Sequence, residues 1–175
     1  MLRELFTLLK ALALAAIIAL LMVQFVVQPT IVEGTSMEPG ISNGERLLIN
    51  KVVYRFSSPQ RGDIIVLKTG EEDRPEYLKR IVGLPEEEIE IKRGRTYIDG
   101  VLYDEPYIKE YMVGQFGPEM VPPGKYFVLG DNRNNSLDSR ASSLGFITSS
   151  QISGRADIVF WPVPELKVLA GNSGP

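Results

Sequence analysis

The chain is 175 residues long, room for one domain and an appendage. Nineteen Lys and Arg against 22 Asp and Glu leave a formal charge of −3, so no basic field exists to recruit nucleic acid. There is no Cys and no His, which excludes disulfide frameworks, thiolate zinc sites, Cys nucleophiles, His metal ligands and every Ser-His-Asp triad. Catalysis near neutral pH then needs a retuned Lys, Asp, Glu, Tyr or terminus as its base.

Part of the 44% hydrophobic content is concentrated in one early run, Ala11–Val27, whose polar member is Gln24. As a helix this run spans roughly 26 Å, and extension back through Leu8 and Leu5, with Lys10 snorkelling, reaches a bilayer core. A cleaved signal peptide needs small residues at −3 and −1 after the apolar centre. Gln24, Phe25, Val26, Val27, Gln28, Pro29 and Thr30 follow instead, so the segment reads as a permanent transmembrane anchor. Arg3 and Lys10 precede it and Glu33 is the first charge after it, which predicts a cytoplasmic N-terminus and an extracytoplasmic remainder. The expected division is 1–28 for N-terminus and anchor and 29–175 for the domain.

That domain reads as mainly β. Leu47–Tyr54, Asp63–Lys68 and Tyr77–Leu84 are short runs rich in Ile, Val, Leu and Tyr. Glu88–Lys92 alternates charged and apolar residues, as a half-exposed strand does. Asp99-Gly100 predicts a hairpin joining Thr96–Ile98 to Val101–Tyr103. Lys125–Leu129 and Ala156–Trp161 read as two more strands. Pro118, Pro122 and Pro123 predict a loop over Gly114–Gly124. Glu71-Glu72-Asp73 and Glu86-Glu87-Glu88 read as solvated turns.

Several motif matches fail on inspection. Asp131–Asn135 places Arg133 at the third ligand position of a calcium loop and Ser136 where Gly is required. Gly117 to Gly124-Lys125 has the wrong spacing for a phosphate loop. No Ser-x-x-Lys occurs.

Without His, a neutral Lys can still activate a hydroxyl. Ser36 lies just past the anchor in Gly34-Thr35-Ser36-Met37-Glu38-Pro39-Gly40, a tight stretch able to present a hydroxyl and its own N–H together. Such a serine also suits a plain turn. Lys79 lies in Tyr77–Val82, where alternation puts Tyr77, Lys79 and Ile81 on one face. Desolvation there lowers the amine below its usual ~10.4. The same lysine on an edge strand could face solvent. Gly130–Arg140 packs many hydrogen-bonding side chains into one turn, either an exposed polar loop or a rigid scaffold under a site.

Ser36-Met37-Glu38-Pro39, Arg61–Val66, Lys79–Pro85 and Gly130–Arg140 resemble, in order and spacing, the sequence boxes of bacterial type I signal peptidase. Gly154-Arg155-Ala156 extends the match. The resemblance implies several coiled antiparallel sheets behind one transmembrane helix. It implies a membrane-bound serine endopeptidase that removes signal peptides from exported preproteins with a Ser/Lys dyad and no cofactor or metal. By motif position, Ser36 resembles the nucleophile and Lys79 the general base. Ser136 resembles the hydroxyl that holds the amine, and Asp138 and Arg140 a supporting ion pair. Some members carry a hydroxyl two residues before the nucleophile, where this chain has Gly34. The implied substrates are preproteins with small residues at −1 and −3. Val32, Met37, Ile41, Tyr77 and Leu78 match positions that line the pockets. The short segment between the Lys box and the Gly-Asp-Asn box implies a small β insertion at about 86–124. Two rival readings use the same residues: a self-cleaving Ser/Lys repressor-type protein, and a non-catalytic anchored β module. The first needs a DNA-binding module, against which the anchor argues.

Overall fold

A computed structural model describes residues 2–68 and 76–169, so the acidic run 71–73 lies outside the described residues. Helix α1, Leu2–Phe25, carries the apolar run. Its described large apolar side chains, among them Leu5, Leu12, Leu20 and Phe25, are more than half exposed, and none of the apolar window Arg3–Leu21 is buried. A core helix would hide one stripe at least. This one is long and apolar enough to cross a bilayer.

One residue separates α1 from the first strand, β1, Val27–Ile31. The others follow as β2 Arg46–Asn50, β3 Ile64–Leu67, β4 Tyr77–Gly83, β5 Glu88–Lys92, β6 Arg95–Ile98, β7 Val101–Leu102, β8 Phe116–Met120, β9 Lys125–Leu129, β10 Ile147–Thr148, β11 Ile152–Trp161 and β12 Lys167–Val168. The large sheet runs β1-β2-β11-β3-β4-β9-β10, with β12 added on β11. The small sheet runs β7-β6-β5-β8. Every pairing is antiparallel. The protein is mainly β behind one apolar helix, as expected.

Three sequence expectations change in detail. Gly114–Gly124 is not all loop, because β8 pairs with β5 inside it. Strand β1 starts earlier than expected, since its Val27 and Gln28 read as the end of the anchor. Both carry a proline, Pro118 or Pro29, and both are sheet edges, where a missing N–H costs no ladder bond. The strand expected over Leu47–Tyr54 stops at Asn50, whose Oδ1 accepts the Val52 and Val53 N–H groups and turns the chain into a short 3₁₀ segment. Asp99 and Gly100 both take positive φ, the geometry of the tight turn that joins β6 to β7.

Three apolar clusters hold these layers. Val32, Met37, Ile41, Leu47, Ile49, Ile64, Val66, Ala156 and Val159 fill one side of the large sheet. Val82, Ile89, Ile91, Phe127 and Leu129 join the two sheets, with the Phe116 and Phe127 rings 4.7 Å apart. Gly83 lets β4 pass close beneath the small sheet, since a Cβ there would stand 2.8 Å from Ile89 Cδ1. The third cluster, around Ile65, Ile81 and Val128, backs β4.

Two of the open strand edges lie near Ser36. The outer edge of β1 has no partner strand. Strand β4 pairs with β3 from Tyr77 to Arg80, but β9 meets it only from Arg80 onward. Tyr77–Lys79 therefore keeps one unpaired edge.

Candidate active site

Strand β4 delivers Lys79 inward. The side chain is 2% exposed. Its Nζ lies 2.9 Å from Ser36 Oγ and donates to the Leu78 carbonyl at 2.9 Å. Burial brings the amine down from its ordinary 10.5 to about 8, against the opposing pull of Asp138 and Asp131. The neutral amine is therefore well populated just above neutrality, in direct contact with a hydroxyl.

The polar turn Gly130–Arg140 sets where that hydroxyl sits. The Asn132 N–H donates to the Ser36 carbonyl at 3.0 Å. Asn132 Nδ2 donates to the Thr35 carbonyl at 3.1 Å, and Asn135 Nδ2 to Thr35 Oγ1 at 2.7 Å. Gly130 permits the approach: a Cβ there would overlap the Ser136 hydroxyl and lie 2.5 Å from the Ser36 carbonyl oxygen. Gly130→Ala should therefore cost about 1–3 kcal/mol of stability by overpacking. Displacing Ser36 should also lower the turnover number about 100-fold. Thermal unfolding and steady-state kinetics on one preparation check both numbers.

Asp138 is 1% exposed and braces the turn from within. Its Oδ2 accepts the Gly130 N–H at 3.1 Å. Arg140 grips it with Nε at 2.7 Å and Nη2 at 2.8 Å, and Arg140 Nη2 also donates to the Arg133 carbonyl. Ser136 differs from expectation. Its Oγ is buried beside Gly130 without a hydrogen-bond partner, and the hydrogen bonds of the Lys79 amine go to Ser36 and Leu78 instead.

A cleft of about 380 Å³ opens beside Ser36. Thr30 to Gly34 form one wall and Glu76 to Leu78 the other, so the two unpaired edges face each other across it. Val32, Met37, Tyr77 and Leu78 line it. Ile41 does not; at 1% exposure it lies in the core beside Met37. Among the described residues no cluster of acids could hold a metal ion.

Residues 5–161 match the family described as "Signal peptidase, peptidase S26". The chain belongs to the signal peptidase family. Membership makes it a serine endopeptidase and sets aside the two rival readings. Among its signal peptidase relatives, Signal peptidase I of Bacillus licheniformis is 40% identical over 94% of this chain and 92% of its own length. Signal peptidase I T of Bacillus subtilis (strain 168) is 41% identical over 90% of this chain and 86% of its own. A solved signal peptidase I from Enterococcus faecalis V583 is 34% identical, covers 57% of this chain and 97% of its own, and aligns with a TM-score of 0.49.

Other residues of this signal peptidase site escape sequence reasoning. Arg80, on the opposite face of β4 from Lys79, is 5% exposed. It forks onto Asp131 with Nε at 2.8 Å and Nη2 at 2.7 Å and donates Nη1 to the Gly62 carbonyl. Arg133 forks onto Glu105 and donates Nε to the Gly130 carbonyl at 3.0 Å. Arg80 and Asp131 stood inside the matched boxes and could have been suspected as a pair. Glu105, in Asp104-Glu105-Pro106, carried the signature of a surface turn.

Proposed function

We propose that this chain is a membrane-anchored signal peptidase in which Ser36 is the nucleophile and Lys79 the general base. The observation that carries the reading is the 2.9 Å contact between Lys79 Nζ and Ser36 Oγ at a buried position. In a protein without His, that amine is the base within reach.

Neutral Lys79 takes the Ser36 proton as Oγ attacks the scissile carbonyl. By motif position the Ser36 N–H receives the developing oxyanion; Gly34 adds no hydroxyl. Protonated Lys79 then donates to the leaving amine, and water deprotonated by the same amine hydrolyses the acyl-enzyme. None of these steps calls for a metal or cofactor. The substrate lies extended between the edges of β1 and Tyr77–Lys79 and adds main-chain bonds to both. Alternate side chains then point to the floor formed by Val32, Met37 and Leu78, and its shallow apolar surface suits small residues at −1 and −3.

Cleavage of a preprotein reporter in detergent tests this reading, with Ser36→Ala as the control. Uncleaved reporter with wild-type protein, or equal cleavage with Ser36→Ala, defeats it.

The pH profile is a sharper check. The rate should rise with pH through about 8, the region to which burial lowers Lys79. Stability follows from the same shift. The folded pKa lies below the unfolded 10.5, so the unfolded chain holds the proton more tightly. Lys79 therefore costs stability below pH 8, and the cost fades as pH rises toward 10.5. The difference between 10.5 and about 8 corresponds to about 3 kcal/mol. Lys79→Met should melt higher than wild type at pH 7 and lose that advantage by pH 10. An advantage independent of pH would show that the amine is not held out of water.

The helix sets the compartment in this reading. Arg3 and Lys10 keep the N-terminus cytoplasmic and α1 spans the bilayer. Protease added outside intact spheroplasts should digest the β domain. Its survival, while other external domains are degraded, refutes the orientation.

A further inference from the structure

The turn that positions Ser36 is itself held from outside the catalytic sheet. After β7 the chain crosses over the turn as the segment 103–113 and returns to β8. Five of its residues reach two residues of the turn, Arg133 and Asn134. Glu105 takes both ends of the Arg133 guanidinium, with Nη1 at 2.8 Å. The Tyr107 ring lies 4.0 Å from the Arg80 guanidinium and 6.0 Å from that of Arg133, and its Oη donates to Glu105 Oε1 at 2.8 Å. Burial, and then the Glu105 carboxylate, push that hydroxyl well above its ordinary range, so it stays a donor. Further out, Asn134 Nδ2 donates to Glu110 Oε1 at 2.9 Å and to the Tyr111 carbonyl at 3.1 Å, while Asn134 Oδ1 accepts the Val113 N–H at 2.8 Å.

From Arg133 the connection continues inward. Its Nε holds the Gly130 carbonyl, and its own carbonyl is held by Arg140. Gly130 touches the Ser36 carbonyl, and Asn132, between Asp131 and Arg133, donates to it. The segment 103–113 is thus linked to the nucleophile through Arg133 and Gly130, although none of its described hydrogen bonds goes to Ser36 or Lys79.

We propose that Glu105 and Asn134 are positioning residues: together they fasten the segment 103–113 to the polar turn, and that fastening keeps Ser36 in register with Lys79. The inference rests on the assignment of Ser36 and Lys79 given above. A buried pair such as Arg133–Glu105, 1% and 8% exposed, is weak evidence for a stabilising role by itself. Well-packed apolar replacements of such pairs are often as stable as the original. What apolar residues do not reproduce is the fixed, forked geometry that aims the Arg133 backbone.

This difference supplies the test. Glu105→Leu/Arg133→Met removes both charges at once, and Asn134→Ala cuts the exposed link without burying anything. Each is compared with wild type and Ser36→Ala by preprotein-reporter kinetics in detergent and by thermal unfolding. The double variant should keep the wild-type melting temperature within a few degrees, keep KM within about twofold, and lose about 10- to 100-fold in kcat, as a misplacement of order 1 Å does. Asn134→Ala should lose about 3- to 10-fold in kcat at unchanged melting temperature, as the loss of one or two net hydrogen bonds does. Wild-type kcat in a folded double variant, or in Asn134→Ala, overturns the proposal. If the double variant does not fold, Asn134→Ala decides alone. Residual cleavage by Ser36→Ala would instead strike the Ser36 assignment, so the two failures look different.

Discussion

Ser36→Ala and Lys79→Ala should each abolish nearly all cleavage while leaving the domain folded. In the proposed mechanism Ser36 and Lys79, 2.9 Å apart, act in one proton transfer, so neither works without the other. The double variant should therefore be little worse than either single one. General-base removal typically costs about 10²–10⁴-fold. A Lys79→Ala enzyme keeping more than about a tenth of wild-type kcat/KM would mean that another group accepts the Ser36 proton. Both single variants should also melt no lower than wild type at pH 7. Truncating Lys79 removes an amine held away from water, and truncating Ser36 removes one hydroxyl.

Arg80→Ala should produce the opposite profile: a large fall in stability, with activity lost as a consequence. Its guanidinium is 5% exposed and Asp131 is 0% exposed, so the truncation leaves a carboxylate without its fork in a dry site. Breaking such a pair from one side costs about 3–5 kcal/mol. Arg80→Lys should fall between, because a lysine keeps the charge but cannot make two parallel bonds to Asp131 while a third reaches the Gly62 carbonyl. Urea unfolding of the three proteins ranks them. A loss under about 1 kcal/mol for Arg80→Ala would show that water reaches Asp131.

How much of this was legible beforehand depended on whether a signal was local. Glu88–Lys92 forms the strand that its alternation predicts, because one face packs on Phe127 and the other meets water. The long apolar run forms the helix that its composition predicts. Strand β8 was hidden, and β1 could be placed only at its Ile31 end, because proline speaks against a strand until it is known that the strand lies at an edge. Lys79 could be singled out because a charged residue inside an apolar run is costly unless something depends on it. Ile41 could not be told from a pocket residue, since burial in a core and burial under a substrate demand the same apolar side chain. Ser136 shows the limit of motif position: the residue stands at the expected place in the turn, yet its hydroxyl meets no partner. Glu105 carried no signal, because its meaning comes from Arg133, 28 residues later.

The separation of the parts along the chain bears on when the enzyme becomes active. Ser36 and Lys79 are 43 residues apart, and the Asn132 contact to Thr35 spans 97. These are high-contact-order pairings, the kind completed late as a chain folds. Until β4 is enclosed, Lys79 titrates as a solvated amine near 10.5, and about one molecule in three thousand holds it neutral at pH 7. Enclosure at about 8 raises that share to about one in ten. A nascent or misfolded copy therefore has a serine but almost no base to activate it. On the proposed mechanism, latency follows from folding itself: the base appears only once β4 is enclosed.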